Sequence, residues 1–217
     1  MKHVQTRQSI VELCLELSRR GYFAGTGGNI ALRIDPEHIA VTPSATDYHA
    51  MRAADVCVLR LADLKQLEGD RTPSVESGLH ARVLRKRPDV GCSIHTHQPV
   101  ASACALLGEP LDVPQAFQAS LGARIPVVGY APSGSGWLSA KLGRALRPNI
   151  SAYLMRNHGI LCCGADSVAA MQAVEDLEAF ARSYLMSRIA RRSSTTASSL
   201  QTALRGVMDC LAGQPVY

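Results

Sequence analysis

The chain has 217 residues, 47% of them apolar and 19% charged, which suits one domain with a sizeable core and the composition of a soluble globular enzyme. Its formal charge is only +5 and aromatic residues make up 5%. The basic clusters Arg85-Lys86-Arg87 and Arg191-Arg192 carry no interleaved aromatics, which argues against a nucleic-acid surface and leaves weak attraction to anionic metabolites. No apolar run is long enough to cross a bilayer, and the N-terminus lacks a signal-peptide core. The seven cysteines include no Cys-x-x-Cys pair, and Cys14, Cys57, Cys92 and Cys104 sit among apolar neighbours, as reduced thiols of the cytoplasm do.

From Thr6 to Arg20, apolar groups at Ile10, Val11, Cys14, Leu15 and Leu17 predict a helix closed by Gly21. Gly25-Thr26-Gly27-Gly28-Asn29 is a donor-rich turn, whose backbone N–H groups can hold an anion or simply reverse the chain. Strands are expected over Ile30–Ile34 and Ile39–Thr42, paired across Asp35-Pro36-Glu37, and over Val56–Leu61. Two more small, hydroxyl-bearing turns follow, at Thr42-Pro43-Ser44-Ala45 and Arg71-Thr72-Pro73-Ser74. Ser74 reads as the N-cap of a helix from about Val75 to Arg87, with Glu76 in its first turn.

Cys92-Ser93-Ile94-His95-Thr96-His97-Gln98, preceded by apolar Val90, reads as a short strand that carries His95 and His97. Residues two apart on a strand face the same way, so both imidazoles aim at one point. Zinc usually takes three protein ligands in a reactive site, and His158, after the apolar run Ala152–Met155, is the third candidate. Upstream, the acidic Glu76 opens the helical stretch that runs into this strand, while His3, His38, His49 and His80 lie in polar or helical surroundings without such convergence.

Further helices are expected over Pro99–Leu107, Ser135–Leu146 and Asp166–Arg191, with strands over Ile125–Tyr130 and Ile160–Cys163. Trp137, Leu138 and Leu142 read as core. Glu175, Asp176, Glu178 and Arg182 read as a solvated or subunit-facing side, and vicinal Cys162 and Cys163 as packing groups on opposite faces. The domain is expected to occupy residues 1–190, with a flexible segment and a short C-terminal helix in 191–217.

Gly-Thr-Gly-Gly-Asn at 25–29, Thr-Pro-Ser at 42–44, Pro-Ser-Val-Glu at 73–76, His-Thr-His at 95–97 and Asn-His-Gly at 157–159 together resemble the class II aldolase/adducin family, over roughly Ile10 to Leu185. The resemblance implies a three-layer α/β/α fold with a mainly antiparallel central sheet, and a homotetramer with active sites at subunit interfaces. It also implies Zn²⁺ or another divalent ion on His95, His97 and His158, with Glu76 as acid/base. Thr26, Gly28, Asn29, Ser44 and Ser74 would surround a substrate phosphate. The chain departs from the family pattern at Val75, where a phosphate-binding serine is usual, and at Ala45, where glycine is usual. Gln115 or Phe117 stands where the family has a proton-donating tyrosine, and Tyr217 is the counterpart of a C-terminal tyrosine.

The implied activity is aldol cleavage of a ketose 1-phosphate through a metal-stabilised enediolate, with Glu76 brought toward neutral pKa by burial. Methylthioribulose-1-phosphate dehydratases, sugar-phosphate 4-epimerases and sugar-acid phosphate decarboxylases are alternatives within the family. The epimerases usually carry Asp at the position of Glu76. A non-catalytic adducin-like binding module would lack the three histidines, and a non-haem iron oxygenase is the third class that His, His and carboxylate allow.

Overall fold

The computed structural model describes residues 2–23, 25–193 and 198–213. Its elements are α1 (Val4–Arg19), β1 (Asn29–Arg33), β2 (His38–Val41), β3 (Cys57–Arg60), β4 (Gln66–Glu68), α2 (Ser77–Lys86), β5 (Cys92–Thr96), α3 (Pro99–Leu107), β6 (Leu111–Asp112), α4 (Gln115–Leu121), β7 (Arg124–Ile125), β8 (Val127–Val128), α5 (Gly136–Ala145), β9 (Ala152–Met155), β10 (Gly159–Gly164), α6 (Ser167–Ser193) and α7 (Ser198–Gly213). Among the described residues, eight strands form one sheet in the order β4-β3-β2-β1-β5-β10-β9-β8. Every neighbouring pair is antiparallel except β8 with β9.

Strict side-chain alternation builds the three layers. Ile30, Leu32, Cys92, Ile94, Ile160 and Cys162 pack with α1, α3 and α6 on one face. Ala31, Ile39, Val41, Tyr153, Met155, Leu161 and Cys163 pack with α2 and α5 on the other. Cys162 and Cys163 thus enter opposite cores, as their places on a strand dictate. The fold is α/β with a mainly antiparallel central sheet and helices on both sides.

Several expectations shift. Ile125–Tyr130 is not one strand: β7 pairs with β6 in a separate two-stranded sheet, and β8 joins the main sheet after Pro126, which has no N–H to offer a continuous ladder. Leu138 and Leu142 are buried as expected, but Trp137 is 74% exposed. Glu178 belongs to the interior, where its carboxylate accepts the backbone N–H groups of Val100 and Ala101 at 2.9 Å each, in the first turn of α3. That helix begins with Pro99 and lacks a side-chain cap of its own, so a carboxylate from α6 satisfies its free N–H groups. α7, at 16 residues, is longer than the short C-terminal helix expected. Residues 194–197 and 214–217, which include Tyr217 and parts of the segment expected to be flexible, lie outside the described residues.

Candidate active site

β5 carries His95 at the centre of the sheet, paired in register with Asn29 of β1 on one side and Leu161 of β10 on the other. All three therefore face the α2 layer, and α2 is preceded by Glu76. The Nδ1 of His95 lies 2.6 Å from the Ile160 carbonyl oxygen, which fixes the ring proton on Nδ1 and leaves Nε2 with its lone pair. His97, just past the end of β5, points the same way, with ring centroids 4.7 Å apart.

His158 arrives from the tight β9–β10 turn. Asn157 there takes φ 54°, a left-handed conformation that asparagine tolerates, and the His158 N–H closes the turn on the Met155 carbonyl. Gly159 follows because nothing larger fits: a Cβ would stand 2.5 Å from His97 Cδ2 and 2.6 Å from the Thr96 oxygen. The ligand nitrogens of His95, His97 and His158 lie within 4.8 Å of one another, close enough to converge on one ion.

Glu76 meets this cluster from the opposite side. Its Oε1 lies 3.1 Å from His158 Nε2 and its Oε2 lies 3.3 Å from His95 Nε2. The latter approach is no hydrogen bond, because His95 keeps its proton on Nδ1; a lone pair and a carboxylate oxygen face each other in the buried interior. His97 Nε2 is likewise buried without a hydrogen bond. Two orphaned, electron-rich imidazole nitrogens beside a carboxylate form a donor set that fits a divalent cation. Burial pushes the pKa of His95 down to about 3, against the pull of Glu76, and burial also lowers His97. Both rings are neutral at pH 7, the state a metal ligand requires.

Glu76 itself corrects an expectation. Burial raises its carboxyl pKa, but the hydrogen bonds from His158, Asn29 and Ser133 outweigh it and hold the group below the usual carboxylate range. The surrounding donors thus favour the ionised carboxylate rather than a carboxyl tuned toward neutrality. Its partners are Asn29 Nδ2, donating to Oε2 at 2.8 Å, and Ser133 Oγ, donating to Oε1 at 2.8 Å.

The three donor-rich turns are drawn together by backbone pairing. The Thr42 N–H bonds the Ile30 oxygen, Ser44 N–H bonds Thr72 oxygen, and Ser74 N–H bonds Thr42 oxygen. Thr26 is exposed, Ser44 partly exposed, and Gly28 and Ser74 buried. The Ser74 hydroxyl accepts the Glu76 N–H at 3.2 Å, so it steadies the entry to α2, whose N-cap position is held by Glu76 itself. Ala45 takes φ 46°, the left-handed conformation for which glycine is better suited. The side chain of Asn29 is committed to Glu76 and to His80.

Sequence reasoning missed Ser133 and His80. Ser133 lies in a loop whose only local signal is Pro132-Ser133-Gly134, a turn like many others. His80 shows a signal only in hindsight, since it stands one helical turn after Glu76 and so shares its face.

Residues 8–185 match the family described as Class II Aldolase and Adducin N-terminal domain. The chain belongs to the class II aldolase/adducin family. It is 30% identical over 183 residues to a 5-deoxy-D-ribulose 1-phosphate aldolase of Bacillus thuringiensis serovar kurstaki, covering 84% of this chain and 85% of that protein. It is 27% identical over 186 residues to an L-fuculose phosphate aldolase of Haemophilus influenzae, covering 85% and 84%. A solved structure of L-fuculose 1-phosphate aldolase superposes with a TM-score of 0.82 at 28% identity, covering 87% of this chain and 88% of that one.

Proposed function

We propose that this chain is a zinc-dependent lyase that cleaves a ketose 1-phosphate into dihydroxyacetone phosphate and an aldehyde. The observation that carries the reading is the Glu76 carboxyl group 3.1 Å and 3.3 Å from two of three convergent imidazoles. His95, His97 and His158 are assigned to the ion. When bound, a divalent cation supplies Lewis-acid stabilisation of the negative charge that builds on the carbonyl oxygen as the carbon–carbon bond breaks.

The bond electrons pass toward the substrate carbonyl, the cleaved-off carbon becomes an aldehyde as its hydroxyl proton leaves, and a proton returns to the remaining carbon. Glu76 suits that last transfer in both directions: it accepts a proton as an ionised base and gives it back to carbon. Thr26, Gly28, Ser44 and Ser74 are assigned to the phosphate, whose charge several neutral donors can share. We assign Asn29 to the orientation of Glu76, since its amide is already engaged there. The names of the relatives, which are sugar-phosphate aldolases, support the phosphate. We take the working form to be a cytoplasmic homotetramer, in keeping with the family resemblance.

The test is a screen of phosphorylated and unphosphorylated ketoses with the zinc-loaded protein. Equal release of dihydroxyacetone phosphate and an aldehyde supports the reading. Release of water or CO₂, or formation of an epimer without cleavage, places the chain in a dehydratase, decarboxylase or epimerase branch instead.

A further inference from the structure

His80 is fully buried on α2, is not one of the three convergent histidines and has no part in the chemistry above. Both of its ring nitrogens are nonetheless engaged: Nδ1 lies 2.8 Å from Ser93 Oγ, and Nε2 lies 2.7 Å from Asn29 Oδ1. Asn29 in turn reaches Glu76 Oε2 at 2.8 Å. Ser93, His80, Asn29 and Glu76 thus form one unbroken chain of hydrogen bonds in the interior.

Its polarity can be worked out from the carboxylate outward. An ionised carboxylate only accepts, so Asn29 must turn its NH₂ toward Glu76 and its carbonyl oxygen toward His80. That oxygen accepts, so His80 must carry its proton on Nε2. Its Nδ1 is then a bare lone pair, and Ser93 must donate its hydroxyl proton to it. Every donor points toward Glu76, an arrangement in which successive bonds strengthen one another. Without His80 the carboxylate alone would orient the Asn29 amide; the second hydrogen bond, on the amide oxygen, opposes the flip that would set a carbonyl oxygen against the carboxylate.

We propose that His80 is a positioning residue for the reaction: its Nε2–H locks the Asn29 amide so that Glu76 is held by a donor and kept in place beside the three imidazoles. The proposal rests on the aldolase reading only for its kinetic consequence. The tautomer it requires stands apart from any substrate. The competing account is a core histidine that merely satisfies its own ring nitrogens.

Two measurements test the proposal, and the second separates it from the competing account. The first is ¹⁵N NMR of the histidine rings in unmutated, zinc-loaded protein, which reports the tautomer at neutral pH. A proton on Nε2 and a bare Nδ1 at His80 are expected; a proton on Nδ1 overturns the proposal. The second is a double-mutant cycle on cleavage of the ketose 1-phosphate that the screen identifies, using His80→Leu, Asn29→Ala and the pair. His80→Leu is expected to lower kcat about tenfold, the effect of weakening the hydrogen bond from Asn29 to the charged Glu76, with KM and bound zinc unchanged. In the Asn29→Ala background it should lower kcat no further, because the amide it would orient is gone. An equal loss in both backgrounds, or an unchanged kcat, overturns the proposal. Should no ketose 1-phosphate be cleaved by the unmutated protein, the aldolase reading fails, while the tautomer measurement still decides the placement of the His80 proton.

Discussion

Ser133 donates its hydroxyl to Glu76 Oε1 at 2.8 Å, across 57 residues of chain, and His158 Nε2 stands 3.1 Å from that same oxygen. The loop ahead of α5 thus holds the carboxylate from one side while Asn29 holds it from the other. Replacing Ser133 with Ala removes one hydrogen bond to a charged group. We expect a drop in kcat of about tenfold or somewhat more, with zinc content unchanged. Steady-state kinetics alongside metal analysis checks it, and an unaltered kcat would show that this contact does not matter to turnover.

Glu76→Gln keeps the shape of the side chain and removes its basicity. Turnover should fall by roughly 10²–10⁴-fold, the range for a lost acid/base group, while the three imidazoles still retain zinc. If the variant turns over normally, Glu76 has been given the wrong role.

Gly159→Ala probes how tightly the rings are gathered. The added methyl would meet His97 Cδ2 at 2.5 Å and Thr96 oxygen at 2.6 Å, so the ring or the backbone must move. Zinc affinity should weaken by about 10–100-fold, as it does when the supports of a ligand are disturbed. Calorimetric titration of the chelator-treated variant measures this, and undiminished affinity would contradict the packing described.

The buried histidines also set a pH dependence. Burial lowers the pKa of His80 to about 4, against a weak opposing pull from Glu76, whereas the unfolded chain titrates near an ordinary histidine. Below that ordinary value the unfolded state binds more protons than the native state. The contribution of His80 is therefore complete above about pH 6.5 and is lost progressively as the pH falls toward about 4, by on the order of 3 kcal/mol. Chemical denaturation of metal-free protein at several pH values should show this slope, and His80→Leu should reduce it, leaving the part that His95 and His97 contribute.

What could be read from the sequence was whatever depends on local spacing. His95 and His97 stand two apart on a strand, so their convergence follows from backbone geometry alone. Glycine after His158 and the Thr-Pro-Ser turns carry equally local signals. Other features depend on what lies across the fold. Glu178 sits among charged residues of α6 and reads as solvated, yet it caps α3 from 77 and 78 residues away. Trp137 reads as core by its chemistry, but it falls on the outer side of α5. The direction of the Glu76 pKa was missed for the same reason: the desolvation was foreseeable, whereas the donors from β1, the β9–β10 turn and the Ser133 loop were not.

The central claim is that His95, His97 and His158 share one divalent ion, and metal analysis of purified, zinc-loaded and dialysed protein tests it most directly. The account predicts one zinc per chain in the unmutated protein and little or none in His97→Ala. A protein that retains no zinc, or a His97→Ala variant that retains as much as the unmutated chain, would contradict it.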